Sequence, residues 1–168
     1  MMYWLIIAEK CIWFGLAALG FAVLFNVPTR TLFSIWLMGA LAGGVKLLAL
    51  KLGLGVILSS LAGATLVGIL SIQTAHIIHS PPIIFAIPAV IPMVPGAFAY
   101  RTMLGLINLT GSTEGEAYTQ LMKETIQNGL ITVFILMSLA VGVYVPMLIT
   151  RKDSAKHMKI DIGDVIKK

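Results

Sequence analysis

Residues 84–101 constrain this chain more than any other stretch. The run Ile-Phe-Ala-Ile-Pro-Ala-Val-Ile-Pro-Met-Val-Pro-Gly-Ala-Phe-Ala-Tyr-Arg has no charge before its last residue. It can therefore lie at membrane depth. Pro88, Pro92, Pro95 and Gly96 prevent an ordinary helix there, because each proline lacks an N–H and clashes with the carbonyl four residues earlier. The carbonyls of Ile84, Pro88 and Ile91 are expected to lose their helical partners. In hydrocarbon such a loss costs several kcal/mol, so broken backbone is tolerated only against protein or a watery cavity. Broken helices near the bilayer midplane are where many transporters bind substrates and coupling ions. The run points to a transport path.

Composition agrees with a membrane setting. Only 11% of the 168 residues are charged and 58% are hydrophobic, whereas soluble domains carry about 25% charged residues. The net charge of +5 does not argue for nucleic acid, since the excess is concentrated after Thr150. A basic tail beside a span reads as a cytoplasmic anchor. Cys11 is the one cysteine, which excludes an internal disulfide. The N-terminus has no basic n-region or small-residue cleavage site, so it reads as a retained span.

A spanning helix needs about 20 mostly apolar residues. Five segments qualify: residues 3–25, 31–50, 54–75, 82–109 and 126–149. The expected fold is an all-α membrane protein whose fourth span is broken. Residues 1–150 form the transmembrane domain and 151–168 a polar, basic tail. The main loop is expected at 108–123, where Thr113 and Glu116 match a capping box for a short interfacial helix starting near Glu114. Arg151, Lys152, Lys156, Lys159, Lys167 and Lys168 follow the last span, which predicts a cytoplasmic C-terminus. Five spans then put the N-terminus outside. Lys46 and Lys51 would fall on the outer side, with Arg30 in an inner loop.

Within the spans, small residues recur four apart: Gly39 and Gly43, then Ser60, Ala64 and Gly68. Such faces let helices approach closely in lipid, so they read as packing rather than chemistry. Glu9 and Lys10 lie inside the first apolar segment, where a charge costs at least about 2.5–3.5 kcal/mol at the bilayer centre. Glu9 is a candidate for proton coupling. The alternative is that the span begins nearer Cys11 and the pair belongs to an interfacial lead-in. Gln73, His76 and His79 share one end of the third span. Metal binding would need further ligands, so the histidines read as interfacial. Tyr100 and Arg101 follow the break. Arg101 either holds a carboxylate through bidentate hydrogen bonds or anchors the chain at headgroups. No Ser/His/Asp grouping, phosphate-binding glycine loop or zinc spacing is present in the sequence. No enzyme, cofactor or metal is expected.

Phe25-Asn26-Val27-Pro28 with Arg30, then Ile91-Pro92-Met93-Val94-Pro95-Gly96 with Tyr100-Arg101, resemble the threonine/serine exporter (ThrE) family. Size and span number are similar to its short C-terminal-half subunits, the YjjB-like proteins. The motifs cover about residues 20–106, and hydropathy carries the likeness through the fifth span. The resemblance implies half of a ten-span secondary transporter in a bacterial plasma membrane. It implies a YjjP-like partner supplying the other five spans. The substrates implied are threonine and serine, or a dicarboxylate such as succinate. Two consecutive homologous five-span halves would have opposite topology, the inverted-repeat plan of many transporters.

The expected substrate path runs past Pro88, Pro92, Pro95 and Gly96. Freed carbonyls and the amides after Gly96 contact the substrate, since a half-helix N-terminus favours anions. Tyr100 and Arg101 stand beside them, with Asn26 and Gln73 as polar lining and Glu9 for coupling. Membrane lipid and a small amino acid or organic acid are the other expected partners; self-association is left open. The rival readings are an accessory subunit without its own path and a passive channel.

Overall fold

The computed structural model describes residues 2–111 and 115–150, with side chains from Leu5 onward in the first helix. Regular structure among these residues is entirely helical. Helix α1 (Met2–Leu24) leads through a 3-10 turn at Thr29–Thr31 into α2 (Leu32–Lys51), and α3 (Val56–Ile78) follows. Helix α4 (Pro82–Val90) passes through a second 3-10 turn at Ile91–Met93 to α5 (Gly96–Gly111). Helix α6 (Glu116–Thr150) ends the described chain. Four helices are long and apolar enough to cross a bilayer, and the α4–α5 pair, bent by 56°, brings the number to five when taken as one span. The molecule is an all-α membrane protein with a broken fourth crossing.

Three helices end in the same way. Asn26, Gly53 and His79 adopt left-handed backbone, with φ of 53°, 84° and 53°. The amide after each one bonds the carbonyl five residues back: Val27 to Ala22 at 3.0 Å, Leu54 to Ala49 at 3.1 Å and Ser80 to Ala75 at 3.2 Å. These are Schellman closures, which satisfy carbonyls left unpaired at a helix end. Asparagine and histidine are among the non-glycine residues that tolerate this conformation best. His79 therefore lies beyond α3 and does not continue the face that carries His76.

Small residues set the helix spacing. Gly39 and Gly43 meet Ala18 and the Phe14 ring of α1. On α3, the Ser60–Ala64–Gly68 face lies against α6. A Cβ on Gly142 would sit 2.7 Å from that of Ala64, and one on Gly68 would sit 2.9 Å from the carbonyls of Gly142 and Val143. No real Cβ tolerates such distances to backbone, so these glycines permit the contact. Buried hydroxyls mostly bond their own helix, as Ser71 does to Gly68 O and Ser138 to Ile135 O. Ser60 is the exception: its buried Oγ has no hydrogen-bond partner among the described residues.

The helices alternate in direction. Arg30 Nη2 donates to Ser80 Oγ at 3.3 Å, so the α1–α2 and α3–α4 links share one end of the bundle. The opposite end carries Lys51 and the start of α1. Helix α6 runs parallel to α3 and reaches the Arg30 end, where Thr150 shares a cleft with His76. Nearer its start it leaves α3 and pairs with α5. Gly105 packs on Thr125 and Thr102 on Gly129, a descending register that makes α5 and α6 an antiparallel hairpin.

This hairpin corrects two expectations. The loop expected at 108–123 is helical on both sides, since α5 runs to Gly111 and α6 starts at Glu116. In place of a short interfacial helix there is one continuous helix of 35 residues. At 1.5 Å per residue it is about 52 Å long, well beyond the roughly 30 Å hydrocarbon core of a bilayer. Thr113, the cap of the expected capping box, lies outside the described residues, as do Glu114 and the tail 151–168, whereas Glu116 opens α6.

Candidate functional site

The break is built by its prolines. Pro81 and Pro82 open α4, where a missing amide costs nothing because the first amides of a helix have no partner. Pro88 sits inside α4 and is buried. Pro92 then ends the α-helix, and the chain tightens into one 3-10 turn. The Ile91 carbonyl is not left free, contrary to the sequence expectation, because Val94 N–H bonds it at 3.0 Å. A switch from four-residue to three-residue spacing recovers the bond that Pro95 cannot make. Past the turn, the Gly96 amide bonds Val94 O at 2.9 Å and the Ala99 amide bonds Pro95 O at 3.1 Å. The amides of Ala97 and Phe98 at the start of α5 find no acceptor among the described residues.

One carbonyl of the break is held from outside it. Lys46 Nζ, on α2, donates to Met93 O at 3.1 Å across a separation of 47 residues. The Met93 side chain is buried at the same place, against α3. A Cβ on Gly63 would lie 2.9 Å from Met93 Sδ and 2.9 Å from Ala42 O. Three helices thus grip the turn: α2 through Lys46, α3 through Gly63, and α1, which contacts the same turn. This closure answers the rule that broken backbone at membrane depth must be buried in protein or face water.

Sequence reasoning grouped Lys46 with Lys51 as a loop-side charge. The available signal was its position five residues before the end of α2, inside an apolar run. At that depth the amine either reaches back to the interface or finds an acceptor. The unpaired carbonyl at the break is such an acceptor.

The remaining candidates are spread over the molecule. Pro92 lines a cleft of about 270 Å³ together with Lys10, Trp13, Phe14 and Ala17 of α1. Glu9 and Lys10 both belong to α1 and both are exposed. Pro95 is buried and Gly96 exposed at the head of α5. Tyr100 and Arg101 lie one turn further along α5, on its exposed surface. Asn26 and Gln73 are exposed toward the Arg30 end, away from Arg101. The left-handed backbone of Asn26 already has a structural cause in the closure of α1. No described cleft gathers Arg101, Asn26 and Gln73 together.

At the Arg30 end, a cleft of about 480 Å³ lies between α3, α4 and α6, walled by Ile72, Pro82, Ile83, Tyr144 and Met147 beside His76. His76 Nδ1 donates to Ile72 O at 2.7 Å, which commits that nitrogen to its own helix. Among the described residues no three His, Cys, Asp or Glu side chains converge as a metal site.

No solved structure matches the chain. A family model described as "Threonine/Serine exporter, ThrE" matches residues 10–149. The match takes in the first span from Lys10, Lys46, the whole broken crossing and α6 to its penultimate residue. Broken helices at membrane depth are a feature of many transporters. With most of its length matched, the chain belongs to the threonine/serine exporter family, ThrE.

Proposed function

We propose that this chain is one half of a split secondary exporter, completed by a YjjP-like membrane subunit. The substrates are small carboxylate-bearing solutes, either threonine and serine or dicarboxylates such as succinate. The protein sits in a bacterial plasma membrane with its C-terminus in the cytoplasm. The observation that carries this reading is the broken fourth crossing, whose Met93 carbonyl is held by a lysine from α2. A break of this kind supplies polar backbone at membrane depth, which a simple lipid anchor does not need.

The path runs past Pro88, Pro92, Pro95 and Gly96. The amides of Ala97 and Phe98 offer donors to an anion at the head of α5. Arg101 and Tyr100 extend that surface, Asn26 and Gln73 line the far end, and Glu9 couples export to protons. The scatter of these residues over exposed surfaces supports a path closed by a partner. The same scatter is what an accessory subunit would show, and that remains the second reading.

Efflux of preloaded labelled threonine, serine and succinate decides between them, in cells lacking their own exporters. The expected result is efflux of one compound only when both chains are present. Equal efflux from the partner alone would make this chain accessory. Arg101→Ala is expected to abolish efflux at unchanged protein level; normal efflux would remove Arg101 from the path.

A further inference from the structure

Lys46 is part-buried on α2, and its one hydrogen bond among the described residues goes to a neutral carbonyl, Met93 O at 3.1 Å. The described carboxylates are Glu9, Glu116 and Glu124, and none forms an ion pair with it. An ammonium has three donors, so two remain. A carbonyl dipole satisfies one donor and leaves the charge without a counter-ion among the described residues. Charges held within a membrane bundle are ordinarily paired or face a polar path. A second lysine approaches the same turn from α1. Lys10 lines the cleft of about 270 Å³ that Pro92 closes, with Trp13, Phe14 and Ala17 as its apolar walls. Lys10 also borders a neighbouring cleft of about 230 Å³ with Leu47, the residue after Lys46.

We propose that Lys46 and Lys10 form a carboxylate-binding site at the break, with Lys46 as the inner counter-charge and Lys10 at the rim. This rests on the reading that the break lies on the substrate path. The cleft is smaller than the ~300–1,000 Å³ of drug-sized pockets, which suits an acid of a few carbons. Its apolar walls accept a short carbon body; Lys10 is one of its lining residues, and Lys46 is bonded to the carbonyl of Met93, the residue after the lining Pro92, so that in the proposed site both ammonium groups reach the carboxylate. Lys46 therefore has two tasks: one donor fixes the Met93 carbonyl and the others receive the ligand.

Glutamine separates these tasks. Lys46→Gln keeps a neutral donor for Met93 O and removes the charge, whereas Lys46→Met removes both. Binding of labelled succinate and threonine to the purified full chain in lipid nanodiscs is the readout. Succinamide serves as the neutral analogue and inorganic phosphate as a competing anion. We expect the wild-type protein to bind at least one acid and to ignore succinamide. Lys46→Gln should weaken that binding at least tenfold while remaining monodisperse, and Lys10→Gln about threefold. Lys123→Gln, on the exposed surface of α6, should match wild type.

Unchanged affinity in Lys46→Gln would overturn the proposal and leave Lys46 as a pin for the carbonyl. Absence of binding in the wild type would overturn it as well. Stronger competition by phosphate than by either acid would reassign the site to phosphate groups and overturn the carboxylate assignment. Should Lys46→Gln fail to fold, the Lys10→Gln affinity decides alone, and an unchanged value counts against the site. Binding without efflux would remove the exporter reading and leave this site standing.

Discussion

Helices α4 and α5 are two halves of one apolar run, yet they occupy different worlds. Helix α4 has nine residues and buries Phe85, Ala86, Pro88 and Ala89 among α1, α2 and α3. Helix α5 has sixteen residues and buries only Gly105. It packs along α6 and exposes Tyr100, Met103, Leu104, Leu106 and Ile107. The 56° bend between them therefore separates a wedge locked in the bundle from an arm laid on a single neighbour. The wedge holds the break in position. The arm presents apolar surface to whatever surrounds it, lipid or another protein chain.

The sharpest way to break this comparison is to truncate one side chain on each half. Phe85 is fully buried, and Phe85→Ala should cost about 3–5 kcal/mol through lost contacts and a residual cavity. Met103 is 60% exposed, and Met103→Ala should stay within about 0.5 kcal/mol. Unfolding of the purified protein, followed by loss of helical signal in rising denaturing detergent, reads both. Equal destabilisation would mean that the arm is as tightly held as the wedge.

How much of this was legible in the sequence depends on what each residue answers to. The break itself was legible, because a proline removes its own amide whatever lies nearby. So was the membrane class, which follows from charge depletion. The Ile91 carbonyl was misread because a local change of helical pitch, invisible in a residue list, gave it a new donor in Val94. Lys46 was missed because a lysine near a span end has a bland explanation, and its real acceptor lies 47 residues away. The length of α6 is hidden in the sequence by Glu116 and Lys123, which fall within the loop expected at 108–123. On the exposed side of a helix such residues are tolerated, and Gln120 Nε2 donates to Glu124 Oε1 at 3.0 Å one turn apart. Packing of Thr125 on Gly105 then keeps that stretch beside α5. The direction of α5 after the break could not be read at all, since it depends on that contact.

The tight approach of Gly105 to Thr125 gives the next test. A Cβ on Gly105 would lie 2.9 Å from Thr125 Cβ and overlap its hydroxyl. Gly105→Val should therefore push α5 off α6, at the roughly 1–3 kcal/mol typical of overpacking, and leave the α1–α4 bundle folded. In a Cys11→Ser background, the pair Thr102→Cys and Gly129→Cys reports the separation, because Thr102 Cγ2 lies 3.3 Å from a Cβ placed on Gly129. Mild oxidation should cross-link this pair, and adding Gly105→Val should abolish the link. A cross-link that survives would show the arm to be held by more than this one approach.

The smallest effect is expected where the two halves meet. Gly96 opens α5, its φ lies outside the left-handed range, and a Cβ there would meet nothing within 4 Å. Neither conformation nor space demands glycine. Alanine should be tolerated, with at most the ~0.5–1 kcal/mol gain of replacing glycine in a helix. A bare backbone here would let another molecule approach closely, next to the Ala97 and Phe98 amides that find no acceptor among the described residues. Gly96→Ala thus separates stability from use. If the head of α5 receives the substrate, efflux with the partner subunit should fall several-fold while the unfolding midpoint holds or rises. If efflux and stability both stay at wild-type values, the substrate does not approach the backbone at Gly96. The path would then lie on the other side of the turn, toward α1 and Lys46.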